Sequence, residues 1–300
     1  MARVGVVVTD TYWVPAGDQD TGPLISALDR LGIAAEPVVW HQWKAQDAER
    51  FDLLVIRSPW DYTEREAEFR AWLQTTGAQL PVLNSPELIE WNLDKVYLQQ
   101  LQHKGISIVP TTWVKDAAEL DQALASYGQQ WTVLKPSVSA GSLNTELLRA
   151  DSAEALALGT RIIDSGRTLL IQPEVPELTA GDERALYFIG GEHTHTIAKG
   201  ALLERGGGLL GGTYQERPQL VSASEDEQAF GAAVLSAVQE VTGTGMPLYG
   251  RIDIVTTAQW GTVLLEAELF EPALNLQRAP EAADVLAAAI AARLPVQAQA

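Results

Sequence analysis

PLYGRIDIVTTAQWGTVLLEAELFEP, residues 247–272, reads as two strands joined by a turn. RIDIV is short, β-rich and apolar at alternating positions, TTAQWG interrupts it, and TVLLEAEL resumes it, which is a hairpin pattern. The acids are its unusual feature. Asp253 lies within the first strand, and Glu266 and Glu268, two apart in the second, point to one face. Carboxylates on one face of an apolar hairpin repel each other and are costly to desolvate unless a cation joins them. A hard divalent ion with oxygen ligands, Mg²⁺ above all, suits such a set. A solvated sheet face carrying spaced acids is the alternative.

Upstream, SEDEQAFGAAVLSAVQEVTG predicts a long amphipathic helix with acids in its first turn, as its dipole favours. ERGGGLLGGTYQERP is a Gly-rich loop too long for a turn. RALYFI and HTHTIAKG form a second hairpin turning at Gly190–Gly191. His193 and His195 alternate there; without a third ligand at fixed spacing they read as polar residues on a solvated strand rather than metal ligands. TLLIQPEVPEL is a strand running into a Pro-bounded extended segment. QWTVLKPSVSAGS is a strand ending at Lys135 and then a small-residue loop, whose backbone N–H groups can approach phosphates closely. It lacks the spacing of a P-loop, and no dinucleotide fingerprint follows the first strand.

SPELIEWNLDKVYLQQLQHKGI predicts one helix carrying Lys95, and AAELDQALASYG another after a strand interrupted at Pro110. The first ninety residues alternate strand and helix, the pattern of a doubly wound parallel sheet. Strands are expected at Arg3 to Thr9, AAEPVVW, DLLVIRSPWDY and QLPVLNSP. A helix follows the first, with Leu24, Leu28 and Leu31 on one side, and another starts at Thr63 with Glu66 completing a capping box. Ligands of such sheets bind beyond the strand C-ends. Those ends carry Asp10, Tyr12, Trp13, Arg57, Trp60, Asp61 and Tyr62, with Arg57 the favoured substrate contact, Tyr12 and Trp60 beside it.

The formal charge of −18 argues against a nucleic-acid partner, which needs a basic footprint. It also means that a polyanion such as ATP must be attracted by local cations and a metal. No Cys is present, so thiol catalysis and disulfides are excluded, which is compatible with a cytoplasmic protein. No window resembles a signal peptide or membrane span; AADVLAAAIAARL is broken by charge and ends at Pro295.

Taken together, these pieces resemble the ATP-grasp ligases. IRSPWDYTEREAEF with PVLNSPELIEWNLDKVYLQQL, LLIQPEVPELTAGDERALYFIGGEH and GLLGGTYQERP are similar to bacterial glutathione synthetase, and YGRIDIV…LLEAE to D-alanine–D-alanine ligase. Size and the WDY loop also fit the small ATP-grasp enzymes of amino-acid antibiotic pathways, D-cycloserine synthetase included. The resemblance implies an α/β (overall α+β) ATP-grasp fold. It comprises an N-terminal doubly wound substrate domain (1–91) and two α+β domains, 92–174 and 175–300, clasping ATP. It implies ATP-dependent carboxylate–amine ligation through an acylphosphate, with D-cycloserine-type ring closure of O-ureido-D-serine as one outcome. Intermolecular amino-acid ligation and a non-catalytic ATP-binding protein are the alternatives.

The same resemblance distributes roles. ATP would meet Lys95, Lys135, Ser139, Gly141 and Ser142 at its phosphates. Gln172, Glu174 and Val175 would meet its adenine, and Asp182 its ribose. Mg²⁺ would be held by Asp253, Glu266 and Glu268, the last standing where the family usually has Asn. Arg251 would steady the acylphosphate, with Lys199 and Arg184 close to the transferred group. Both the Ser139–Ser142 loop and residues 206–212 are expected to be mobile without nucleotide. Partners would be small molecules, with neither nucleic acid nor membrane; a homo-oligomer is compatible with the sequence.

Overall fold

The computed structural model describes residues 2–12, 17–212 and 217–295, so Trp13 lies outside the described residues. Its strands gather into three sheets. The first contains β1 (Arg3–Val8), β2 (Ala34–Val39), β3 (Leu53–Ser58) and β4 (Val82–Leu83), all parallel in the order β2-β1-β3-β4. Parallel pairing buries both faces, which is why RVGVVV and LLVIRS read as near-continuous apolar runs. On one face, Leu24 and Leu28 of α1 (Thr21–Arg30) sit in a core that continues into Leu286 and Ile290 of α9 (Glu281–Ala291). The last helix thus packs back onto the first sheet.

On the other face lies α2 (Glu66–Gly77). It begins later than the Thr63 start expected, because Trp60 and Tyr62 are drawn into the core and tighten residues Trp60–Thr63 into a 3₁₀ turn. The capping box does not form; Arg65 occupies the cap position and pairs with Glu68 at 2.6 Å.

The single helix expected over 85–106 is two, α3 (Pro86–Asn92) and α4 (Tyr97–His103). The break has a cause. Asn92 turns inward to donate from Nδ2 to the Ala267 carbonyl and to accept from the Leu269 N–H, each at 2.8 Å. Asp94 then accepts from the Val96 N–H, and the Lys95 N–H donates to Ser137. Two buried backbone groups outcompete the next helical turn.

The second sheet is antiparallel, in the order β5-β8-β6-β7, from β5 (Thr112–Val114), β6 (Trp131–Pro136), β7 (Glu146–Arg149) and β8 (Leu169–Pro173). Two helices, α5 (Ala117–Tyr127) and α6 (Ala153–Asp164), cover one face through Leu120, Leu124, Leu158 and Ile162. The segment after β8 is not wholly extended: Pro176–Ala180 makes a short helix, α7, with Pro at its first turn.

The third sheet, β11-β10-β9-β12-β13, is antiparallel and built from β9 (Arg184–Ile189), β10 (Glu192–Ala198), β11 (Gln219–Val221), β12 (Tyr249–Thr257) and β13 (Gly261–Glu268). Alternation on β9 sends Leu186 and Phe188 toward α8 (Glu225–Thr242), and Ala185, Tyr187 and Ile189 toward the first sheet. Each large apolar side chain so buried contributes about 2 kcal/mol. Ser224 and Glu227 cap α8 reciprocally. His195 is not solvated as expected. A bulge between His193 and His195 turns it into the core, stacked on Tyr187 at 4.2 Å, its Nε2–H donating to the Leu274 carbonyl at 2.8 Å.

Candidate active site

The β12–β13 register builds the floor of one cleft. Arg251 faces Glu268 and Asp253 faces Glu266 across the ladder, so acids and a guanidinium share the face that looks toward the first sheet. Arg251 grips Asp253 through Nε and Nη2, each at 2.8 Å, and also bonds Glu268. Lys199, just past β10, reaches Asp253 at 2.7 Å and Glu183 at 2.9 Å. Lys95, held in the break between α3 and α4, extends its ammonium to Glu266 at 3.0 Å and to the Ser139 carbonyl at 2.9 Å.

These contacts set the protonation states. Burial alone would raise the Asp253 carboxyl, but Arg251 and then Lys199 outweigh it and hold it below the ordinary range. Burial lifts Glu268 well above that range despite Arg251, with Glu271 and Glu266 adding to the shift. Lys135, at the end of β6, is pulled below its usual value by burial; Glu266 opposes the shift and Lys95 adds to it. Among the described residues Lys135 makes no ion pair, so its ammonium remains available to an anion.

The cleft has a volume of about 330 Å³, with strands of the second and third sheets forming its walls and Gly17 and Trp60 reaching it from the N-terminal region. Of the residues singled out in the sequence, it gathers Lys95, Lys135, Ser139, Gly141, Ser142, Gln172, Glu174, Val175, Lys199, Arg251, Asp253, Glu266, Glu268 and Trp60. Val109, Val133, Leu178 and Leu265 give it an apolar sector beside Val175. Gly141, Ser142 and Asn144 adopt positive φ, so the 139–145 loop turns its backbone sharply at the cleft edge. Within the 206–212 loop, backbone bonds join residues 206, 207 and 210 to neighbouring segments. Leu147 and residues 206 and 207 exchange backbone bonds at 2.8 and 2.9 Å, and Arg205 grips Glu174 with two nitrogens.

Four expectations are corrected. Arg57 lies under the rim rather than on it: β3 is buried along its whole length, Arg57 is 0% exposed, and its Nη2 donates to the Pro272 carbonyl at 2.8 Å. Arg184 pairs with Glu227 of α8 at 3.3 Å, because it stands opposite Ile254, on the other face from Asp253. Asp182 is exposed outside the cleft, and the acid that lines it there is Glu183. Tyr12 is half-buried and packs edge-on against Trp60 at 5.7 Å, without lining the cleft itself. Sequence reading missed Glu183 and Glu271. The first stands one residue from the acid chosen, and the second lies beyond the hairpin, where strand periodicity gives no guidance.

Comparison with known proteins bears on this geometry. The model of the N-terminal domain of D-cycloserine synthetase DcsG matches residues 4–84. The cycloserine biosynthesis protein DcsG of Streptomyces lavendulae is 34% identical over 295 residues, 96% of this chain and 98% of that one. The chain belongs to the D-cycloserine synthetase DcsG family. The crystal structure of a DcsG superposes with a TM-score of 0.89 at 31% identity, covering 98% of this chain and all of that one. D-alanine–D-alanine ligase of Bacillus anthracis, solved with ATP, shares the fold at a TM-score of 0.68 and 14% identity, over 97% of each chain. Like other DcsG-family members, the chain has the ATP-grasp fold, α+β with three sheets, and is a ligase that forms a C–N bond with release of ADP. Among the described residues, no helix is long and apolar enough to cross a membrane.

Proposed function

We propose that this chain activates the carboxylate of O-ureido-D-serine with ATP and closes the ring within the same molecule. The carboxylate attacks the γ-phosphorus, ADP leaves, and an acylphosphate forms. The oxygen-bound nitrogen of the ureido group then attacks the acyl carbon and loses its proton as phosphate leaves, and water removes the carbamoyl group as carbon dioxide and ammonia, leaving the five-membered ring. Nucleophile and electrophile belong to one molecule, so proximity contributes several kcal/mol, roughly 7 or more where the alignment is good. What carries the reading is the convergence of the hairpin acids, Lys95, Lys135 and the 139–142 loop on one small cleft, in a chain related to DcsG along nearly its whole length.

The roles follow from position. Lys135 and Lys95 meet the phosphates, and Ser139, Gly141 and Ser142 offer backbone N–H groups to them. Gln172, Glu174 and Val175 hold the adenine against the apolar sector. Glu183, rather than Asp182, is the acid available to the ribose. Arg251 stabilises negative charge as it develops on the acyl group, and Lys199 keeps Asp253 ionised. We assign the three lobes to 1–91, 92–174 and 175–300, and the need for ATP assigns the reaction to the cytoplasm.

The donor set fits Mg²⁺. Six acids line the cleft against four basic side chains, so a polyanion needs added positive charge there. Among the described residues no three acids or histidines stand close enough to hold an ion alone. Mg²⁺ characteristically takes one or two carboxylates and completes its shell with phosphates and water. Asp253, Glu266 and Glu268 would hold it; when bound it neutralises charge on the phosphates. The test is ADP release from MgATP with O-ureido-D-serine, with mass spectrometry of the product. ADP formed only with pairs of free amino acids would replace ring closure by dipeptide-type ligation.

A further inference from the structure

Among the described residues, the floor carboxylates Asp253, Glu266 and Glu268 are each ion-paired with a basic side chain, and so are Glu183 and Glu174 on the walls. Glu271 is not. It lines the same cleft, only 9% exposed, and its Oε1 accepts from the Tyr62 hydroxyl at 3.1 Å. A buried carboxylate supported by one neutral donor is expensive to keep unless something cationic completes it.

The chain around Glu271 is held with unusual care. Tyr249 donates to the Phe270 carbonyl, Trp60 Nε1 to the Glu271 carbonyl at 2.8 Å, and Arg57 Nη2 to the Pro272 carbonyl at 2.8 Å. Three buried donors thus fix three successive peptide groups. A carboxylate fixed in this way is preorganised for a ligand. The indole of Trp60 lines the cleft as well, and an aromatic ring near a carboxylate favours an ammonium ion, which gains from both.

We propose that Glu271, with Trp60, is the subsite for the α-ammonium group of the substrate, and that Arg57 is a positioning residue acting through the Pro272 carbonyl. The assignment rests on the reading of the substrate as amino-acid-like. Arg251 and Lys95 line the same cleft as Glu271, so an α-amino acid bound there can turn its carboxylate toward the cations and its ammonium toward Glu271.

The experiment compares O-ureido-D-serine with its des-amino analogue in the wild type, Glu271→Gln and Glu271→Asp, by ADP release. The wild type should favour the ammonium-bearing acid by on the order of 100-fold in kcat/KM. Glu271→Gln should lose that preference through KM, with the KM for ATP unchanged, and Glu271→Asp should restore part of it. Retention of the preference in Glu271→Gln, or its absence in the wild type, overturns the proposal. If the wild type does not turn over O-ureido-D-serine, the substrate assignment falls, and calorimetric titration of D-serine in the presence of ADP still reads the subsite. Binding lost in Glu271→Gln then supports it; equal binding in both proteins, or none in the wild type, overturns it.

Discussion

The floor of the cleft and its rim both hold charge away from water, and they do so differently. On the floor, Arg251, Asp253, Glu266 and Glu268 come from one hairpin, and the pairing register itself sets cation against acid. At the rim, Trp60, Tyr62 and Glu271, with Arg57 buried beneath them, come from segments more than two hundred residues apart. The floor is a local device whose groups face a ligand. The rim is a long-range device in which most groups face one another, and Glu271 is left to face the cleft. Sequence spacing reveals the first kind of site, and contacts between distant segments create the second.

The division can be broken most forcefully at Arg57. Its replacement by Ala removes the donor to Pro272 and leaves Asp20, 3.6 Å away and buried, without its cation. A loss of about 3–5 kcal/mol in unfolding free energy is expected, visible as a lower denaturant midpoint. A variant as stable as wild type would return Arg57 to the role of a surface substrate contact.

On the floor the balance reverses. Glu266→Gln should lower kcat/KM for ADP release by about 100-fold or more, while thermal unfolding changes little, because the residue is partly exposed to the cleft and packs against no core cluster. Full activity at ordinary Mg²⁺ would show that this carboxylate is a passive partner of Lys95.

Asn92 joins the two regions, since it shapes the break that delivers Lys95. Asn92→Ala leaves the Ala267 carbonyl and Leu269 N–H without that side chain. The expected cost is about 2 kcal/mol, together with a several-fold rise in the KM for ATP. Loss of stability without any change in that KM would separate the break from phosphate binding.

The smallest effect concerns pH. Burial raises the Glu271 carboxyl, Glu266 reinforces the rise, Arg251 and Lys95 oppose it, and Glu268 is raised by burial as well. Their folded pKa values exceed the unfolded ones, so the folded chain binds more protons. Stability of the ligand-free protein therefore falls as pH rises from the ordinary carboxylate range through these raised values. Asp253 acts oppositely, losing its contribution only at more acid pH, as its depressed folded value is passed. Glu271→Gln should flatten the decline, read from unfolding midpoints at several pH values. An unchanged slope would assign it to Glu268.

Much of the floor was legible beforehand because a strand's period of two puts 251 and 253, and 266 and 268, on common faces whatever packs above them. Strand–helix alternation likewise gave the parallel sheet. Three of the errors share a cause: each concerned a residue whose direction depends on a distant partner. Arg57 stands at a strand end but is roofed by Pro272; Arg184 belongs to the right strand and the wrong face; His195 turns inward at a bulge.

By itself, then, the sequence determined the hairpin with its acids, the strand–helix order and the resemblance that names the fold, since all three are carried by local periodicity and motif order. Only the tertiary structure decided that α3 and α4 are separate helices with Lys95 between them, and that residues 270–272 are pinned by Tyr249, Trp60 and Arg57. The same contacts left Glu271 as a cleft acid without an ion pair among the described residues. The physical reason is that buried polar groups must find partners, and those partners lie far away in the chain.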